Sequence, residues 1–557
     1  CSIGYVWNNR NRTGLVNSFQ LNNTDIPFVG LDKSVRYLGT PVAARKVTKL
    51  KVSSDYLTKT LEKITKIFES ELLTVQKLHA VRTFVFPALD FILENGQLKI
   101  KHIEMIDHKI AAFINKEFKG NVPTAMKHCS WKDGGLSIPC LREKAEACRV
   151  KALVRMLTNK DVSIKILAEK MLEDERIIRC IDKNEDKSTQ SFLNWASDSP
   201  HERKGTNSLA NRARKSLKYL GLTLKESNMR SESSIEEAEE TEVMSEGANR
   251  ELHYSLSDVE LNNEITFNNS KKISLFITSS RRERWKSKSN QQSFHLHSLY
   301  TFHDNPLSNH YVVRQKYPIN DKFFRFAIRC RANLLGTPEF DELINGANHV
   351  NCPSCASQGS HHTQSLAHIL NGCIHNYQMY TDRHNKIQKV LVEYLKDRGD
   401  IEEIHEDKTI NIPDLTEDLR RLRPDIVAWS NNRNKCIIIE ISVPYGKKNW
   451  ESDTLADVYS HKKEKYSELV NFLRDRRIDV TFGVIIVSSI GAVFRNSIND
   501  INRIIKVKKQ AKTAIRRISA CAVLGSMKIW LSRSNDEHAT DEVVVDSSSD
   551  QDQIDVT

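Results

Sequence analysis

Four residues stand in the pattern C-x2-C-x12-H-x4-C: Cys352, Cys355, His368 and Cys373. Thiolate and imidazole ligands at these spacings suit a tetrahedral Zn2+. The CPSC pair makes a tight turn, and Gly372 before Cys373 fits a helix end. All four positions are protein ligands, so the expected site is closed and structural. His361 and His362 are alternatives to His368, but His368 follows the apolar pair Leu366–Ala367, which would dock a helix. The competing reading is four unrelated buried residues, and the finger-like spacing favours zinc over it.

A second constellation lies downstream. RLRPDIVAW ends in an expected strand that Asp425 opens, and KCIIIEISV is strongly strand-like with Glu440 inside it. A charged Glu in a buried strand costs several kcal/mol unless it is paired or bound to metal. Adjacent strands of a hairpin would bring Asp425 and Glu440 together as hard oxygen ligands for Mg2+. The third element is a lysine from the helix that His461-Lys462-Lys463-Glu464-Lys465-Tyr466 opens. It would orient the attacking water and stabilise charge on a phosphate. Lys462 is the first choice and Lys463 the second. Pro-Asp alone would be a simple turn. The weight comes from the combination of PD, a Glu in an apolar strand, a Lys-rich helix and a further strand.

These residues need elements to hold them. An amphipathic helix with Ile387, Val390, Leu391 and Leu395 begins at Arg383-His384-Asn385 and would cover the sheet. The apolar run Val480 to Phe494 reads as a buried strand with a turn at Gly491, and is too short to span a bilayer. Further upstream, VRYLGTPV (Val35 to Val42) reads as a strand, a Gly turn and a Pro stop. Leu57, Leu61, Ile64 and Phe68 mark one face of a helix, with Lys59, Lys63 and Lys66 off it. Further helices are expected over 72–86, 103–118 and 141–157. Residues 185–250 are polar, and Ser231 to Gly247 carries seven Glu, so a solvated linker or disordered insert is expected. The basic stretch RRERWKSK follows at 281–288, and the Asp- and Ser-rich tail beyond residue 535 reads as disordered.

Composition bounds the rest. With 557 residues, several domains are expected. A net charge of +12 favours a polyanionic partner, most often nucleic acid. The 11 Cys are mostly scattered singly, which fits reduced thiols in the cytosol or nucleus. No signal peptide opens the chain, and no membrane partner is expected. The first residue is Cys1, which suggests a piece of a longer polyprotein.

At Cys352, Cys355, His368, Cys373, Arg383-His384-Asn385, Arg423-Pro424-Asp425, Glu440 and Lys462, the chain resembles the C-terminal end of non-LTR retrotransposon proteins that carry a restriction-like endonuclease of the PD-(D/E)xK type. The second acid is often Asp in that family and is Glu here. VRYLGTPV resembles the primer grip of the associated reverse transcriptase, and the helices over 56–157 with the KDGGLSIP loop resemble its thumb. No Y/F-A-D-D box occurs, so this stretch is not expected to polymerise by itself.

The resemblance implies a multidomain α+β protein. Its parts would be the end of the palm and primer grip at 1–50, a helical thumb at 51–180 and a partly disordered insert at 181–300. Linker helices with the zinc module would follow at 301–380, then an α/β restriction-like endonuclease at 381–531 and an acidic tail at 532–557. The implied role is Mg2+-dependent nicking of target DNA, which primes reverse transcription of the element RNA in the nucleus. Lys59, Lys63, Lys66, Arg383 and His384 would touch nucleic acid. Arg503, Lys506, Lys509, Arg516 and Arg517 offer a second basic face, though a solvated face is the plain alternative for both lysine sets. The rival readings are a non-catalytic zinc-containing nucleic-acid-binding protein and a decayed relic of an element. The oligomeric state is not readable from the sequence.

Overall fold

The computed structural model describes residues 46–94, 98–179, 208–227, 253–267, 270–291, 299–312, 320–339, 350–447 and 453–533, with short strand segments between 18 and 43. It is a mixed α+β protein, mostly helical, with small sheets. The chain divides into two compact units. One takes Cys1–Ser70, Ala80–Ala112 and Pro139–Arg284, and the other Glu71–His79, Phe113–Ile138 and Trp285–Thr557. The acidic run at 231–247 and the tail beyond 535 lie outside the described residues.

In the first unit, β1 (Ser18–Leu21) pairs with β2 (Thr24–Pro27) and β3 (Ser34–Tyr37) with β4 (Thr40–Ala43), all antiparallel. VRYLGTPV is therefore a hairpin, and Pro41 does not stop it but lies within β4, opposite Arg36. Helix Lys46–Glu69 buries Leu57, Ile64 and Phe68 and leaves Lys59, Lys63 and Lys66 exposed. The helix expected over 72–86 is instead Thr74–Ala80, which up to His79 belongs to the second unit, followed by a π-turn Val81–Val85 and a continuation Phe86–Glu94. Pro87 brings no N–H to the helix, and such a gap is commonly absorbed by a widened turn just upstream. The next helices run Ile100–Glu117 and Leu141–Leu157.

The stretch expected to be an insert holds more structure than its composition suggested. Helix Leu209–Leu220, the antiparallel sheet of β5 (Leu222–Ser227), β6 (His253–Asp258) and β7 (Asn263–Phe267), and helix Ser270–Gln291 share one core with helix Leu141–Leu157. Ala210, Ala213, Leu217, Leu256 and Ile277 carry it. Low aromatic content hid this core, because Ala and Leu at helical spacing supply the apolar face. Within RRERWKSK, Arg281 pairs with Glu143 at 2.7 Å and Arg284 with Asp258 at 2.8 Å, so part of that basic stretch is spent on internal ion pairs.

The second unit is built on a four-stranded sheet of order β11-β10-β9-β8. Its strands are β8 (Glu403–Glu406), β9 (Ile426–Ser430), β10 (Lys435–Ser442) and β11 (Asp479–Ile486). The first three pair antiparallel, and β10 and β11 run parallel. Asn431, Asn432 and Arg433 turn the chain between β9 and β10 with φ of 55°, 52° and 65°. Asn tolerates this left-handed region better than other side chains. Helices Thr454–Lys465 and Ser467–Asp475 make the crossover from β10 to β11. A parallel pair needs such a crossover.

Alternation sorts β10 into two faces. Ile437, Ile439 and Ile441 join Ile387, Leu391, Leu395, Ile515 and Ile518 from helices Tyr377–Lys396 and Lys508–Leu531 in one apolar cluster. Each such isoleucine contributes roughly 1.5–3 kcal/mol on burial. Cys436, Ile438 and Glu440 occupy the opposite face. Helix Arg495–Ile505 packs on β11, where a Cβ at Gly483 would clash with Ile504 Cδ1. Among the described residues, no helix is long and apolar enough to cross a membrane.

Candidate active site

Asp425 immediately precedes β9, and Glu440 sits near the end of β10. The last pair of the β9–β10 ladder is Ile426 with Ile439, so one more step brings Asp425 level with Glu440. The Asp425 carboxylate reaches across at that point: its Oδ2 accepts the Ile441 N–H at 2.5 Å. Asp425 Oδ1 has no hydrogen-bond partner among the described residues. Glu440 is 3% exposed, its Oε1 accepts from Lys462 Nζ at 2.5 Å, and its Oε2 is buried without a donor. Burial, and then the nearby Asp425 charge, raise the pKa of Glu440, while Lys462 and the Tyr466 hydroxyl oppose the rise. Two acidic groups, each with one oxygen that accepts no hydrogen bond among the described residues, make a donor set that fits a hard divalent cation.

The two lysines part company here. Lys462 faces Glu440, whereas Lys463 donates to the Phe482 carbonyl at 3.1 Å and lies 3.4 Å from Asp500 Oδ2. Asp500 is a buried hub that also accepts from Val484 N–H, Tyr459 hydroxyl and Arg503. Lys463 thus fastens helix Thr454–Lys465 to β11 and does not reach the two acids. Burial depresses its pKa, and Asp500 works against that.

Helix Tyr377–Lys396 supplies further groups. His384 Nε2 lies 3.4 Å from Asp425 Oδ2. Burial depresses its pKa, but Asp425, with Asn385 and Asp407, raises it overall. Arg383, expected at a nucleic-acid surface, is 2% exposed and donates to Ser526 Oγ at 2.8 Å. Its aliphatic stem fills the space beside Gly525, where a Cβ would meet Arg383 Cγ at 2.5 Å. Arg383 therefore locks two helices together and is not offered to a phosphate. Arg503, Lys506 and Arg517 of the late basic face are also engaged, with Asp500, Asp400 and Glu393 respectively. In the first unit Lys63 donates to the Phe84 carbonyl at 2.8 Å.

Two residues not singled out in the sequence, Gln388 and Tyr466, support the site. Gln388 is 2% exposed, and its amide donates to the Asp425 carbonyl at 2.9 Å and to Asp407 Oδ2 at 3.1 Å. A Gln between Ile387 and Val390, on the buried face of an amphipathic helix, was the available signal. Tyr466 is fully buried and donates to the Arg423 carbonyl at 3.1 Å, which holds the segment leading into Asp425.

Cys352, Cys355, His368 and Cys373 bring their ligand atoms within 4.8 Å of one another. Cys373 Sγ is 3.9 Å from both Cys352 Sγ and Cys355 Sγ, and Cys355 Sγ is 3.4 Å from His368 Nε2. Zinc–sulfur bonds of about 2.3 Å in a tetrahedron place sulfurs about 3.8 Å apart, so the cluster could bind zinc with little adjustment. Cys352 opens helix Pro353–Ala356, and the π-turn His368–Gly372 delivers His368 and Cys373. Asn371 in that turn donates to the Val443 carbonyl at 2.5 Å, just past the end of β10. The module is thereby tied to the strand that carries Glu440.

No protein-family model matches the chain. Over 168 residues it is 29% identical to the "Retrovirus-related Pol polyprotein from type-2 retrotransposable element R2DM" of Drosophila melanogaster. The similarity supports a retrotransposon origin. It covers 29% of this chain and 16% of that polyprotein.

Proposed function

We propose that the second unit is a Mg2+-dependent DNA endonuclease of the PD-(D/E)xK type within a retrotransposon protein, nicking target DNA so that the element RNA is reverse transcribed from the nick. The observation that carries this reading is Glu440. It is a buried carboxylate in an apolar strand, level with a second carboxylate, with one oxygen on Lys462 and the other accepting no hydrogen bond. Lys462 offsets only part of the cost of burying this carboxylate beside a second acid, and a further cation would offset the rest.

Asp425 and Glu440 would hold the Mg2+. The bound ion supplies Lewis acidity toward a phosphodiester and charge stabilisation in the transition state. Lys462 balances the Glu440 charge and keeps further N–H donors for a phosphate oxygen. Lys463, buried Arg383 and Tyr466 keep the helices and the Asp425 segment in place. The zinc cluster is a closed site, so its work is folding and positioning. The exposed Lys59 and Lys66 remain available to a polyanion.

A plasmid-nicking assay on the intact chain tests this. Relaxed circles that appear with Mg2+ and vanish with EDTA support the nuclease. DNA binding without Mg2+-dependent nicking would favour the non-catalytic and relic readings.

A further inference from the structure

Asp425 lies one residue outside β9, so the regular ladder does not fix it. Other groups hold it from several sides. Its carbonyl accepts the Gln388 amide at 2.9 Å and the Asp407 N–H at 3.0 Å. Its carboxylate Oδ2 accepts the Ile441 N–H at 2.5 Å and lies 3.4 Å from His384 Nε2. Every contact to the carboxylate falls on Oδ2, and Oδ1 has none among the described residues. His384 and Gln388 are four residues apart, so they share one face of helix Tyr377–Lys396.

That helix is itself immobilised. Arg383, next to His384, is buried against Gly525 and bonded to Ser526. Gln388 is buried, and Ile387 and Leu391 beside it belong to the apolar cluster under the sheet. Orienting a ligand demands a group whose own position is locked by packing and hydrogen bonds, and this helix is packed and bonded in that way.

We propose that His384 and Gln388 are positioning residues of the nuclease site. They hold Asp425 with Oδ2 turned toward the protein and Oδ1 turned toward the cation. Gln388 fixes the backbone of Asp425, and His384 fixes the rotation of its carboxylate. This rests on the nuclease reading of Asp425 and Glu440. It also reassigns His384 from contact with nucleic acid to support of a metal ligand. Groups that orient a metal ligand commonly change metal affinity or activity about 10- to 100-fold when lost.

The test is the Mg2+ dependence of plasmid nicking by the full chain. His384→Ala should raise the Mg2+ concentration for half-maximal nicking about 10-fold. His384→Gln, which restores an N–H donor at similar reach, should recover most of that loss. Gln388→Met, which keeps bulk and removes the donor, should shift the curve in the same direction as His384→Ala. Lys389→Ala, on the exposed side of the same helix, should leave it unmoved. Should His384→Ala fail to fold, His384→Phe keeps the ring and carries the same comparison. If Asp425→Ala abolishes nicking while the His384 and Gln388 variants keep the wild-type Mg2+ curve, the positioning role is overturned and the nuclease stands. If Asp425→Ala nicks at the wild-type rate, both fall together.

Discussion

The ammonium of Lys462 lies 2.5 Å from Oε1 of Glu440, and this contact separates two lysines that are adjacent in the sequence. Its neighbour Lys463 turns toward Asp500 and the Phe482 carbonyl. Lys462→Ala should therefore slow nicking by about 100-fold or more, the usual cost of losing a charged group at a reacting phosphate. Lys463→Ala should instead cost about 1 kcal/mol of stability and leave the rate within a few-fold. Single-turnover nicking beside thermal melts separates the two. Equal rate losses in both variants would show that Lys462 has no special place.

Glu440 makes a prediction about stability without any metal. A buried carboxylate beside a second acid is unfavourable until a cation arrives, and the contact with Lys462 offsets this in part. Glu440→Gln removes the charge and keeps the shape. In EDTA it should raise the Tm of the second unit by about 3 °C, equivalent to ~1 kcal/mol. Adding Mg2+ should stabilise the wild type and not the variant. A variant that melts lower in EDTA would mean that the Glu440–Lys462 pair is a structural ion pair.

The Cys3His cluster predicts one Zn2+ per chain. Its four ligand atoms converge from a short helix and a π-turn, so metal binding should supply much of the energy that holds these two pieces together. Cys352→Ser with Cys355→Ser should abolish the zinc content and expose residues 350–376 to protease. Because Asn371 reaches the end of β10, nicking should also fall. Freshly purified protein with no zinc by elemental analysis would contradict this.

Much of the second unit was legible in the sequence for physical reasons. A run such as Cys436–Ile441 has few alternatives to a buried strand, and one Glu inside it stands out because charge is costly there. Close Cys spacing and an amphipathic helix carry their geometry with them. Other features depend on residues far apart in the chain. Which lysine meets Glu440 depends on the rotation of helix Thr454–Lys465, and Asp500, well downstream, fixes that rotation. Arg383 reads as a surface cation until Gly525 provides its niche. The core between 209 and 277 does not show in the local sequence because it is built largely from Ala and Leu and closed partly by segments upstream of 181. Pro41 within β4 shows the same limit, since a short antiparallel pair can admit a proline that reads as a stop.

Asp107 gives a pH signature to the first unit. Burial pushes its pKa up from 3.8 to about 6, although the Leu141 and Arg142 N–H groups it accepts from pull the other way. The folded value thus exceeds the unfolded one. Its contribution to stability is then full below about pH 4 and is lost as the pH rises through about 6. Asp107→Asn should flatten that part of the stability profile. Denaturant melts at pH 4.5 and pH 7 measure it: the fall in stability between them should be smaller in the variant. An unchanged fall would assign the pH dependence to other groups.

The central claim is that Asp425 and Glu440 form a cation site that cuts DNA. Mg2+-dependent plasmid nicking by Asp425→Ala tests it most directly, with DNA binding and thermal melting measured on the same preparation. The expected result is loss of nicking by about 100-fold or more with folding and DNA affinity retained. Nicking by Asp425→Ala at the wild-type rate would contradict the account.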